Sequence, residues 1–257
     1  METKNKFLVV VRVFIGVVVW YLVTKAYGYF VAPLIDPHIP SFLGAVISQM
    51  IVPYTLGLGA FYLIVKSMPK VDLVPTGNKV NLGKAFVIQS GLGFLPFFIL
   101  NIIFTMIGLS AGGMTNEEIS SNLVYYVILL LVFNPVFEEF LFRQLILPRV
   151  RVLGDTAAVF ISAALFAFPH FFSVGFPTFV YTFIQGLVWS YVTVKTGKLW
   201  PAIILHSLAN LYGSFFALFM TRMPITSALF VLIAVIVMPI IAIVLTVKTF
   251  SKTKTTS

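Results

Sequence analysis

The stretch "NPVFEEFLFRQ", residues 134–144, places two adjacent glutamates and an arginine inside an apolar run that extends from about Leu123 to Leu147. A charged side chain at the centre of a membrane helix costs on the order of 2.5–3.5 kcal/mol, so three unpaired charges would cost up to about 10 kcal/mol. Some interaction must offset that. Glu139 and Arg143 are four residues apart with the acid nearer the N-terminus, the order that lets an ion pair form along one helix face. Glu138 lies about 100° round the helix from Glu139 and is left as the unpaired carboxylate and the working group. Asn134-Pro135 predicts a break just before it, with Asn134 capping a fresh half-helix and Pro135 at its first position. The glutamates then fall in first turns, where the helix dipole favours negative charge. A broken helix at membrane depth is tolerated where it lines a cavity.

The whole chain supports a membrane setting. Its 257 residues are 60% hydrophobic and only 10% charged, with a mean hydropathy of +1.04, against about 25% charged residues in a soluble domain. Apolar runs long enough to cross a bilayer fall at 7–30, 42–65, 84–107, 122–147, 156–173, 176–194, 199–219 and 225–247. The fold class predicted is all-α: a polytopic membrane protein with about eight transmembrane helices around an intramembrane cavity. No composition shift or internal repeat divides the chain, so residues 1–257 read as one membrane domain with a short polar tail at 248–257. Residues 1–6 and the run after them resemble a signal peptide, but the run is long and lacks an A-x-A site, so an uncleaved first span is the better reading.

Charge alternates between the connecting segments. Lys4 and Lys6 precede the first run, Lys66, Lys70, Lys79 and Lys84 follow the second, Arg149 and Arg151 the fourth, Lys195 and Lys198 the sixth, and Lys248, Lys252 and Lys254 the eighth. The intervening loops are acidic, uncharged or, at Arg222, carry one base. The positive-inside rule then puts both termini in the cytoplasm. It also accounts for the net charge of +9 without nucleic acid, for which no role is assigned. The absence of cysteine excludes disulfides and thiolate metal sites.

Few polar groups remain inside the runs. Arg12 and Lys25 lie near the ends of the first and read as snorkelling anchors, and Trp20, Trp189 and Trp200 as interfacial anchors. Gln49, Gln89, Asn101 and Gln185 read as interhelical hydrogen-bonding groups. His170 shares a helix face with Phe166 in "FAFPH", and His206 with Asn210 in "HSLAN". Two intramembrane histidines, an asparagine, an unpaired glutamate and a Glu-Arg pair in so apolar a chain point to one functional site.

These motifs resemble the CAAX-processing and bacteriocin-processing (CPBP, or Abi) family of intramembrane proteases, whose signatures are EExxxR, FxxxH and HxxxN or HxxxD in that order. They match here as Glu138 to Arg143, Phe166 to His170, and His206 to Asn210, within about residues 122–215. The resemblance implies an intramembrane endopeptidase in which Glu138 and His170 activate a water, and His206 and Asn210 donate to the tetrahedral oxyanion. Glu139, Arg143 and Phe166 are implied as supporting residues. If zinc is present, the resemblance implies Glu138, His170 and His206 as its ligands, although no HExxH helix places two histidines one turn apart. The implied partners are a peptide or membrane-protein substrate and the lipid bilayer, in a bacterial cytoplasmic membrane. The substrate is a leader or bacteriocin-type peptide, or alternatively a prenylated CAAX protein. Glu138 lies about 15 Å, and His206 about 8–12 Å, from the cytoplasmic ends of their runs, against about 22 Å for His170. The first two depths suggest substrate entry from the cytoplasm or inner leaflet. The competing readings are a non-catalytic scaffold, regulator or bacteriocin immunity protein, and a proton-coupled transporter.

Overall fold

The computed structural model describes residues 3–109, 112 and 115–254; residues 255–257 of the predicted tail lie outside it. All regular structure among the described residues is helical. Among the described residues, six helices are long and apolar enough to cross a membrane: α1 (Lys6–His38), α2 (Ser41–Val65), α3 (Leu82–Met106), α4 (Leu123–Leu153), α5 (Asp155–Ser173) and α8 (Pro224–Thr249). The other two predicted runs are also helical, as α6 (Phe176–Thr196) and α7 (residues 200–220). The chain is thus an all-α, multi-pass integral membrane protein. At its C-terminal end the last helix continues to Lys254, so most of the expected tail is helix.

Its outer surface is apolar: Leu63, Ile99, Val132, Ile240 and Val247 are all exposed. A bilayer offers no hydrophobic drive for helices to associate, so packing and interhelical hydrogen bonds must hold the bundle together. One continuous core supplies the packing, running from Val13, Val17 and Phe61 through Leu141, Phe142 and Ile146 to Phe166, Trp189 and Leu205.

Three connecting segments gather on one face. Val71 N–H donates to Pro148 O at 2.8 Å, Arg151 Nη1 to Asp72 O at 3.3 Å, and Thr76 Oγ1 to Lys195 O at 2.6 Å. This is the face of the lysine- and arginine-rich loops. Gly197 lets α6 end there: it is in the left-handed region at φ +65°, and a Cβ would collide with the Val74 carbonyl. Arg12 is bonded to the end of α2, through Nε to Ile64 O at 2.7 Å and Nη2 to Ser67 Oγ at 2.8 Å. It therefore acts as a tie between helices as well as an anchor.

The break predicted at Asn134-Pro135 takes a different form. Asn134 is helical (φ −58°, ψ −49°), no side chain caps the turn, and α4 continues through it. The proline is accommodated by widening: Leu129–Phe133 and Phe140–Ile146 are π-type turns on either side of Asn134–Glu139. A wider turn moves the preceding carbonyls away from the proline ring, so the helix need not stop.

Candidate active site

Adjacent residues on α4 face different surroundings. The Glu139 side chain is 0% exposed, and its Oε2 lies 3.1 Å from Arg143 Nε, the pair expected from their spacing. Arg143 Nη2 also donates to Gly186 O at 3.3 Å, and its guanidinium lies 4.7 Å from the Phe166 ring centroid and 5.4 Å from that of Trp189. A Cβ at residue 186 would press on Ala163 and Arg143 Nη2, so α6 needs glycine to come this close. The Glu138 side chain is 16% exposed and reaches a cavity of about 490 Å³.

That cavity lies between α1, α2, α4 and α5. Glu138, Asn134 and Phe142 of α4 line it with His170 and Pro169 of α5, Tyr54 and Gln49 of α2, and Trp20 and Lys25 of α1. His170 Nδ1 is 3.0 Å from Phe166 O. A carbonyl only accepts, so Nδ1 carries the hydrogen; when the ring is neutral, Nε2 is left with its lone pair. Tyr54 is placed by its ring contacts with Phe133 and Phe137, at 5.5 and 5.0 Å, and its hydroxyl is within reach of Glu138. Next to it, Trp20 Nε1 donates to Pro53 O at 2.9 Å.

His206 sits behind this wall rather than on it. Its Nδ1 is 3.0 Å from Glu139 Oε1, and its Nε2 is 3.9 Å from Glu138 Oε2. The ring stacks on Trp189, with centroids 4.2 Å apart and 17° between the planes. Trp189 Nε1 donates to Gln89 Oε1 at 2.7 Å, and Gln89 Nε2 donates to Leu205 O at 2.9 Å. Phe166 fills the centre of the group, with edge contacts to Phe142, Trp189 and His206. Asn210 gives its amide to the backbone: Nδ2 donates to Leu130 O at 2.7 Å.

The geometry therefore brings all three motifs together but divides them. Glu138 and His170 share the cavity, whereas His206 is joined to Glu139, and Asn210 is absent from the cavity wall. Of the two residues expected to share an oxyanion role, His206 has its Nε2 3.9 Å from Glu138 Oε2 and Asn210 gives its amide to Leu130 O. Trp189, read as an interfacial anchor, is 2% exposed inside the protein; Trp200 is 52% exposed. Lys25 lines the cavity, a place that an end-of-helix anchor reading could not supply. Gln89 bridges helices as expected, while Gln49 is a cavity residue. Nothing in the sequence marked Tyr54, because its partner on α4 is more than eighty positions away.

The cavity lining extends toward the helix ends opposite the basic loops. Lys25 and Tyr29 are toward the far end of α1, Ser48 and Gln49 near the start of α2, and Ser173 at the end of α5. All are remote from the face that gathers the basic loops.

Among the described residues, no three His, Cys, Asp or Glu side chains form a group able to hold a metal ion. In the trio suggested for zinc, His206 uses Nδ1 toward Glu139 and His170 uses Nδ1 toward Phe166 O, bonds that leave Nε2 of each ring without a hydrogen-bond partner among the described residues and are of the kind that orient metal-ligating histidines.

Residues 120–212 match the family model described as "Type II CAAX prenyl endopeptidase Rce1-like". The segment that holds the site is thus similar to this family. The match spans α4 to the middle of α7 and includes every residue of the three motifs, while Tyr54, Gln89, Trp20 and Lys25 fall outside it. Neither the curated proteins nor the solved structures provide a significant match.

Proposed function

We propose that this protein is an intramembrane endopeptidase that hydrolyses a peptide bond in a membrane-associated peptide or protein. The observation that carries the reading is the pairing of Glu138 and His170 on one cavity wall inside an Rce1-like segment. A water between them would give a proton to the Glu138 carboxylate as its oxygen attacks the scissile carbonyl. His170 Nε2 accepts a second hydrogen bond and aligns that water. As the tetrahedral intermediate collapses, Glu138 returns the proton to the leaving amine. The Tyr54 hydroxyl and the Asn134 amide line the same cavity as Glu138 and take the oxyanion role in this reading; one such donor contributes about 10²–10³ in kcat in well-studied sites. His206 is hydrogen-bonded to Glu139 and packs behind Glu138, with its Nε2 3.9 Å from Glu138 Oε2.

Both termini are assigned to the cytoplasmic side by the basic loops, so the cavity faces away from the cytoplasm. The substrate class that follows is a secreted or leader-type peptide, or the outer flank of a membrane protein. Cleavage of membrane-anchored and leader peptides by purified protein in nanodiscs, with and without chelator, tests this. Cleavage lost in Glu138→Gln and in His170→Ala supports the reading. Wild-type protein that cuts nothing while binding a sensor kinase or peptide exporter favours a scaffold instead.

A further inference from the structure

Pro135 removes one backbone donor from α4, and two carbonyls are the positions it could have served. In the wide turn before it, Asn134 N–H reaches Leu129 O, five residues back. The same register would carry an N–H of residue 135 to Leu130 O, and an ordinary α register would carry it to Leu131 O. Proline has no N–H to give to either. Both carbonyls are nevertheless served from α7: Asn210 Nδ2 donates to Leu130 O at 2.7 Å, and Ser207 Oγ, which is also 3.0 Å from Ile203 O, lies 2.8 Å from Leu131 O. At this depth lipid cannot substitute, because an unsatisfied backbone group in hydrocarbon costs several kcal/mol. Glu138 follows three residues after the proline, on the same short α segment.

We propose that Ser207 and Asn210 form a clamp that replaces the hydrogen bond missing at Pro135 and fixes the wide turn that aims Glu138 into the cavity. Asn210 is then a positioning residue and not a donor to the oxyanion. Ser207, which the motif leaves unspecified, carries half of the same task. The activity readout of this proposal rests on the protease reading, but the geometry does not.

The test is a double-mutant cycle on Pro135→Ala and Asn210→Ala, because a restored N–H at residue 135, in the register of the wide turn before it, serves Leu130 O, the carbonyl that Asn210 otherwise holds. Two signals are read: kcat for peptide cleavage, and the thiol-labelling rate of Glu138→Cys, which is unambiguous in a chain without cysteine. With Pro135 present, Asn210→Ala lowers kcat at least about ten-fold with KM within about two-fold, and changes the labelling rate at least about three-fold; in the Pro135→Ala background both effects shrink below about two-fold. Equal losses in the two backgrounds make Asn210 an independent contributor and overturn the clamp. Ser207→Ala, measured with Pro135 intact, must lower kcat and shift labelling in the same direction as Asn210→Ala. No effect there overturns the clamp even if Pro135→Ala fails to fold. If the wild type cleaves nothing, the protease reading fails while labelling still decides the clamp.

Discussion

Glu138 and Glu139 are chemically identical and adjacent, yet one edges a cavity and the other is sealed between an arginine and a histidine. The difference lies in what the neighbouring helices bring. On the Glu138 side, α1, α2 and α5 supply hydroxyls, an imidazole and open volume. On the Glu139 side, α3, α6 and α7 supply a buried sequence of contacts from Gly186 through Arg143, Glu139, His206 and Trp189 to Gln89. The first arrangement is suited to chemistry and the second to holding that chemistry in place. One consequence is that substitutions on the two sides should fail differently.

The largest effect is expected on the cavity side. Glu138→Gln or His170→Ala should lower kcat by about 10²–10⁴, as loss of a general acid-base does, with the thermal unfolding of detergent-solubilised protein unchanged. On the sealed side, Arg143→Leu or Glu139→Leu alone leaves a buried charge unpaired and should cost about 3–5 kcal/mol of stability. Replacing both together should cost much less than the sum, a cycle readable in unfolding midpoints; additive losses would show that the two charges do not rely on each other.

How far the sequence revealed this division depends on the distance between partners. The Glu139-Arg143 pair was legible because both residues are on one helix, four apart, and that pairing singled out Glu138. Three motifs in order on the fourth, fifth and seventh apolar runs also pointed to His170 and His206 as parts of one site. The side of α4 on which each histidine falls was not legible, since it is set by how α5 and α7 pack and not by spacing within either. The same holds for Tyr54 and for the Gln89-Trp189 bond, whose partners are one hundred positions apart. Asn134-Pro135 signalled an irregular helix but misdirected its form, because a widened turn served by side chains from α7 replaces a true break.

Smaller effects sharpen the comparison. Tyr54→Phe keeps the ring packing and removes the hydroxyl, so it should lower kcat about 10- to 100-fold, somewhat below the range for a dedicated oxyanion donor, with KM and stability little changed. Gln89→Leu leaves the Trp189 N–H without an acceptor and should cost about 1–3 kcal/mol in stability. Its effect on kcat should be smaller than that of Tyr54→Phe; a larger one would place the control of His206, and not the cavity wall, at the centre of the chemistry.

The most direct measurement compares peptide cleavage and thermal unfolding for wild type, Glu138→Gln and Glu139→Gln in nanodiscs. The predicted result is a Glu138→Gln protein that is as stable as wild type and silent, beside a Glu139→Gln protein that is clearly less stable and retains cleavage at temperatures where it is folded. A stable Glu138→Gln protein that cleaves as well as wild type would contradict the division of labour between the two glutamates.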